Sequence, residues 1–337
     1  MKRLVLFMIM ACCMLASCVH EPFDNTPRGN MEALWKYMDE HYCYFDYKAE
    51  EYGLDWNEVH DRYFTPSLDT LGQERLFNLM CKMLAELRDG HVNLYSVYDV
   101  GRYWKWQEDY PVNFYEHIQA NYLGTDYKIG GGMRYTILDG NIGYIYYPDF
   151  SATVSDGYMN RIFSYFGKCD GIIFDVRGNG GGVVTNIDGI ISHFINKPLL
   201  CGYLCHKTGP GHSDFSDLEE RWIEPSSGSK WLRGVAVLAN RGCFSATNTF
   251  VSDIKLLPQV KVFGDTTGGG GGLPMSAELP CGWSVRYSSS PMLDIDKRHI
   301  EFGVAPDSVV NISDEDFQRG VDTIIECAKK WLISNKK

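Results

Sequence analysis

The chain has little that would mark it as a metal or nucleotide protein. Its eleven cysteines form no CxxC pair, which excludes zinc-ribbon and thioredoxin arrangements. Neither glycine cluster, 178–182 or 268–272, is followed by Gly-Lys-Ser/Thr, so a phosphate-binding P-loop is absent. A dinucleotide fingerprint would place glycines at 178, 180 and 183, but Val183 breaks it. No run of Lys or Arg tracks a phosphate backbone, and the formal net charge is −11, which argues against nucleic acid as a partner. Past the N-terminus no apolar stretch nears the roughly 18 residues of a membrane span. No metal and no cofactor is expected; His206 and His212 lack the neighbours of a zinc site and read as loop residues.

The N-terminus reads as an export signal. Lys2 and Arg3 precede an uncharged apolar run, Leu4 to Leu15, and then Ala16-Ser17-Cys18. That run is too short to cross a hydrocarbon core about 30 Å thick. The cysteine at its end resembles a bacterial lipobox, which implies cleavage after residue 17 and a lipid on Cys18. Residues 18–29 are polar with two prolines and suit a tether. The expected mature protein is therefore lipid-anchored to a bacterial membrane, facing the periplasm or the cell surface.

With 45% hydrophobic and 14% aromatic residues the remainder can bury a large core. Apolar spacing over 30–97 (Met31/Leu34/Trp35/Met38, then Leu76/Leu79/Met80/Met83/Leu84/Leu87) predicts a small helical bundle. Residues 98–135 form a connecting segment without a clear pattern. From 136 to 337 strands alternate with helices: strands at 142–147, 171–176, 235–239 and 260–263, and helices at 156–166, 186–195 and 245–256. This predicts an α/β core with a mostly parallel sheet. Antiparallel strands are expected over 274–300 and one closing helix over 314–334. The eight cysteines after Cys18 are expected to be mainly buried free thiols.

Chemistry concentrates at three places. Asp175-Val176-Arg177-Gly178-Asn179-Gly180-Gly181-Gly182 ends a strand, and its glycines can present N–H groups to an anion. Ser245, in Cys243-Phe244-Ser245-Ala246, sits at a strand-to-helix junction. It can be an ordinary N-cap, or a nucleophile beside free N–H groups at a positive helix end. The G-x-S-x-G elbow signature is absent. Third, His91 follows Asp89-Gly90 where the helical region ends. It offers a base of near-neutral pKa, while Glu301 offers an acid to orient one.

In this order Leu87-Arg88-Asp89-Gly90-His91, Ile172 to Gly182, Ser245-Ala246, Gly264 to Gly269 and Glu301 to Asp307 resemble the tail-specific (C-terminal processing) serine protease family. The Asp-x-Arg-Gly-Asn-x-Gly-Gly and Gly-Val-x-Pro-Asp segments are the more specific pieces. The resemblance implies a crotonase-like/ClpP-like mixed β-sheet core flanked by helices, and an endopeptidase acting on unfolded or short peptides. One branch of the family uses a lysine base about 25 residues past the nucleophile; here that place falls in Gly268–Gly272, which has none. The chain is more similar to the tricorn-core branch, which implies Ser245 as nucleophile, His91 as general base and Glu301 in the polar network. It also implies an oxyanion hole from the N–H groups of Ala246 and of Gly180 or Gly181. Two departures stand out: Gly90 replaces a network serine, and the stretch from His91 to residue 140 is too short for a PDZ domain. The fold also resembles retinoid-binding proteins of the vertebrate eye, so a non-catalytic binder of hydrophobic ligands or peptides is the alternative. An esterase-type hydrolase is a third reading.

Overall fold

A computed structural model describes residues 23–108 and 110–335. The signal segment and Cys18 lie outside the described residues. The first helix, α1 (Pro27–His41), begins within the segment expected to be tether. Pro27 is pre-set for a first helical turn, and Thr26 Oγ1 accepts the Gly29 N–H at 3.0 Å. Helices α2 (Phe45–Tyr52), α3 (Trp56–Tyr63) and α4 (Gln73–Ala85) follow. Asp55 caps α3, and Gly53 ends α2 in the left-handed conformation. The predicted stripe is the buried one: Met31, Leu34, Met38, Leu76, Met80, Met83 and Leu84 share one apolar cluster.

That cluster is completed by a sheet. Strands β1 (Asn93–Tyr95) and β2 (Val100–Arg102) pair antiparallel, and β1 pairs with β12 (Ser284–Leu293). A hairpin of β7 (Leu199–Leu204) and β8 (Glu219–Ile223) joins the far end of β12, and β11 (Gly272–Glu278) also pairs with β12. Successive side chains on a strand point to opposite faces. Leu94, Val285 and Tyr287 therefore enter the helical core, and their neighbours face the other way. The antiparallel strands expected over 274–300 are β11 and β12.

The second sheet has the order β13-β10-β9-β6-β5-β4-β3. Its strands β5 (Ile142–Tyr146), β6 (Gly171–Asp175), β9 (Val235–Ala239), β10 (Val260–Gly264) and β13 (Ser308–Val309) are parallel; β4 (Met133–Leu138) and β3 (Lys128–Gly130) run antiparallel at one edge. Strands β5, β6 and β9 are buried along their whole length, as a sheet covered on both faces requires. Helices α6 (Asp156–Tyr165), α7 (Thr185–Ile191) and α8 (Ala246–Ile254) cover one face. The other is covered by α5 (Glu116–Leu123) and by α10 (Thr323–Ser334). The unpatterned segment 98–135 thus supplies β2, α5 and β3, woven into both sheets.

The single C-terminal helix expected over 314–334 is two. Helix α9 (Asp314–Gln318) stops before Gly320, whose φ of 68° breaks the spiral, and Asp322 restarts it by accepting the Ile324 and Ile325 N–H groups. The eight cysteines are free thiols, five of them buried.

Asp322 has a second task. Arg177, fully buried, donates to both oxygens of Asp175 (2.9 and 2.6 Å) and to Asp322 Oδ2 at 2.8 Å. Tyr144 also donates to Asp175, at 2.8 Å. This ties the end of β6 to the start of α10. A buried charge that loses its partner is expensive, so Asp322→Ala should destabilise the protein by about 3–5 kcal/mol, whereas Asp322→Asn, which keeps the cap, should cost less. Thermal unfolding of the two variants beside the parent measures the difference.

Candidate active site

Ser245 lies between β9 and α8 with φ 58° and ψ −124°. A non-glycine residue rarely adopts this region, and it is held there by neighbours on both sides. Its N–H donates to Gly269 O at 2.9 Å, and the N–H of Phe244 donates to Asn179 O at 3.1 Å. The N-cap alternative is excluded, because the Ser245 side chain makes no capping bond. Its Oγ is instead 2.9 Å from His91 Nε2. The turn thus presents the Ser245 hydroxyl to the imidazole at a strand-to-helix junction, without the G-x-S-x-G signature.

The two glycine clusters make this turn possible. A Cβ on Gly181 would stand 2.8 Å from Ser245 Cβ and 3.0 Å from Ala246 N, so only glycine lets the 178–182 loop pass this close. The Gly181 N–H, however, donates to Asn179 Oδ1 at 2.9 Å. Of the two glycines considered for an oxyanion hole, Gly181 is therefore committed inside the loop. Among the described residues the N–H groups of Gly180 and Ala246 have no such partner. On the opposite side Gly268 and Gly270 lie against the rings of Trp106 and Phe244, where a Cβ would come within 2.4 and 2.5 Å. The place where a lysine base would sit is thus filled by aromatic packing.

His91 is buried, and its position is set by Asp89. Asp89 Oδ1 accepts the His91 backbone N–H at 2.7 Å, and Oδ2 accepts the hydroxyls of Tyr42 (2.9 Å) and Ser288 (2.8 Å). Asn93 Nδ2 donates to His91 O at 2.8 Å. Burial raises the Asp89 pKa, but the charges of Lys48 and His91 and the bonds from His91 N–H and Ser288 outweigh it, leaving a carboxylate below its usual range. Burial also depresses His91, to about 4. Asp89 opposes that shift, while Arg286 and Lys48 add to it. The ring's Nδ1 is buried and has no hydrogen-bond partner among the described residues.

Glu301 does not reach the imidazole. Its carboxylate accepts from Lys48 Nζ at 3.3 Å and from the Gly271 N–H at 3.0 Å. Burial and the nearby Asp89 push Glu301 up to about 8, against the pull of Lys48. Lys48, completely buried, also donates to Leu87 O, two residues before Asp89. Sequence reasoning gave Lys48 and Asp89 no role. The Asp-Gly-His order carries a signal for Asp89, since an Asp side chain commonly accepts the N–H two residues on. For Lys48 the only hint is its spacing from Tyr44 and Phe45 on the buried side of a short helix. His206 and His212, read as loop residues, contact Ser290 and Asp39.

The missing serine at position 90 has a steric explanation. A Cβ on Gly90 would be 2.8 Å from both Phe244 Cζ and Trp106 Nε1, and these two rings stack at 4.4 Å between centroids. Gly90→Ser should push the pair aside and shift the adjoining base. Labelling of Ser245 by a fluorophosphonate should then slow roughly a hundredfold, the scale of an ångström-sized misplacement. Tryptophan emission reports whether the stack has moved.

Residues 141–310 match the model of peptidase family S41, and residues 23–85 match the tricorn protease C1 domain. The carboxy-terminal processing protease CtpB of Bacillus subtilis (strain 168) is 24% identical over 149 residues, which are 44% of this chain and 29% of that protein. CtpA of the same organism is 26% identical over 178 residues, 52% of this chain and 36% of that protein. The chain thus spans about a third of the length of either relative. Among solved structures, a candidate peptidase from Parabacteroides merdae ATCC 43184 is 52% identical, with a TM-score of 0.88 over 92% of this chain and 97% of that one. Mature CPAF has the same fold at 12% identity, with a TM-score of 0.71 over 92% of this chain and 98% of that one. With half of its length matched by the family model and a structural relative more than half identical along nearly its whole length, the chain belongs to peptidase family S41.

Proposed function

We propose that this protein is a serine endopeptidase that cuts unfolded or short peptides through an acyl-enzyme on Ser245. The observation that carries the reading is the strained Ser245 turn, which gives up a helix cap and holds Oγ 2.9 Å from a buried imidazole. As Oγ attacks the scissile carbonyl carbon, His91 Nε2 takes its proton. The carbonyl oxygen becomes an oxyanion between the N–H groups of Ala246 and Gly180, at the positive end of α8. Collapse of the tetrahedral species expels the peptide amine, which takes the proton from His91. Water then attacks the acyl-enzyme with His91 again as base, and the second product leaves.

In this reading the Asp89 carboxylate stabilises the imidazolium through space, because it bonds to the backbone of His91 and not to its ring. Lys48 and Glu301 are positioning residues that fix the turn bearing the base. With no PDZ insert, peptides would be recognised by the core itself. The lipobox at Cys18 would place this activity at a bacterial membrane surface.

Hydrolysis of an unstructured protein should fall by about 10⁴-fold or more in Ser245→Ala and in His91→Ala, with folding intact by circular dichroism. Equal hydrolysis by parent and Ser245→Ala would sink the proposal. The pH profile gives a second check. His91 accepts a proton only when neutral, and its depressed pKa keeps it neutral down to about 4. The acid limb of kcat/KM should therefore lie near 4, well below the usual 6.5 of an imidazole.

A further inference from the structure

A cleft of about 410 Å³ opens beside the serine turn, bounded by Gly90, Gly180 and Phe244 on the site side. In a chain of net charge −11, its charged lining residues are two arginines, Arg102 and Arg286, with no carboxylate among the described residues. Their placement follows from strand register. Asn93 on β1 faces Arg286 on β12 and Arg102 on β2, so the three share one rung of the sheet. Strand spacing of about 4.8 Å sets the two arginine backbones about 10 Å apart. The intervening residues point the other way: Leu94 and Val285 enter the helical core, and Gly101 lies against Cys81.

Neither guanidinium has a carboxylate partner among the described residues; Arg102 is exposed, while the buried or half-buried Lys48, Arg177 and Arg221 each have one. Arg102 lies near the Trp104 ring, 5.6 Å from its centroid. Arg286 is half-buried, and its charge also opposes protonation of His91. An unpaired guanidinium that is partly desolvated is costly, and it acts against the base it stands beside. A carboxylate delivered by the substrate would relieve both penalties, and arginine is suited to grip it with two parallel bonds. Trp104, Trp106 and Tyr103 supply aromatic walls for the peptide that carries it.

We propose that Arg286 and Arg102 form a carboxylate-recognition subsite, which makes the enzyme select peptides with an acidic group close to the bond cut. Arg286 is the inner member and Arg102 the outer. The inference rests on the peptidase reading. The shared chemistry is a carboxylate, from a Glu or Asp side chain or from a peptide's free C-terminus.

The test uses four fluorescent peptides differing only in Glu or Gln at one position, and in a free or amidated C-terminus. Binding to the Ser245→Ala protein is read by anisotropy, and kcat/KM is read with the parent. The expected result is at least about tenfold tighter binding of a carboxylate peptide than of its neutral isostere. Arg286→Gln should shrink that ratio to within about twofold, and Arg286→Lys should restore part of it, since lysine keeps the charge but not the fork. A preference that follows Glu assigns the side chain as source, and one that follows the free terminus assigns the terminal carboxylate. Equal binding of all four peptides would overturn the proposal. So would a preference unmoved by both Arg286→Gln and Arg102→Gln. Selective binding without hydrolysis by the parent would uphold the subsite and count against the peptidase reading alone.

Discussion

The ammonium of Lys48 joins three segments that are remote in sequence. It projects from α2 in the helical bundle, donates to the carbonyl of Leu87 just before the histidine turn, and meets Glu301 from the far end of the chain. It has no exposure to solvent, so its charge must be balanced locally. Asp89, held below its usual pKa, supplies the balance, while Glu301 is shifted toward its protonated form near neutrality. The histidine side of the site thus sets one ammonium among two carboxyl groups, with all four of their oxygens engaged. This group holds the backbone of His91, while the ring itself meets Ser245 and Phe244.

The serine side is built by backbone. Gly181 packs against the Ser245 turn, Gly269 O accepts the Ser245 N–H, and the Asn179 and Asn240 side chains brace the 178–182 loop. Asp175 and Arg177, the charged residues of the glycine-rich segment, are engaged with each other and with Asp322, and they bolt β6 to α10. Glycine-rich sequence here means close approach, and Gly180, which lines the cleft, has an N–H without a hydrogen-bond partner among the described residues.

Much of this was legible in the residues. Strands that are apolar nearly throughout, such as β6 and β9, each followed by a polar or glycine-rich turn, announce a covered parallel sheet with a site at its carboxyl edge. The helical stripe of α1 and α4 was equally plain. Other features were hidden because they arise only from long-range pairing. The rung that aligns Arg286, Asn93 and Arg102 joins strands nearly two hundred residues apart, two of them only three residues long. The burial of Lys48 requires a partner 253 positions away. The left-handed backbone of Ser245 leaves no mark in Cys-Phe-Ser-Ala, and the hairpin of β7 and β8 gave no clean alternation. The break at Gly320 was visible in principle, as a glycine shortly before a capping Asp322.

The serine and the histidine are carried by different sheets: Ser245 follows β9 and leads into α8, whereas His91 leads into β1, which packs on the bundle beside β12. Neither sheet alone holds both members of the proposed pair. A chain still folding, with only one sheet assembled, would have a hydroxyl without a base or a base without a hydroxyl. Such a chain is itself an unfolded polypeptide of the kind the finished enzyme is proposed to cut. Under the proposed function, dividing the pair between two sheets would keep a chain from cutting peptides until its own folding is complete.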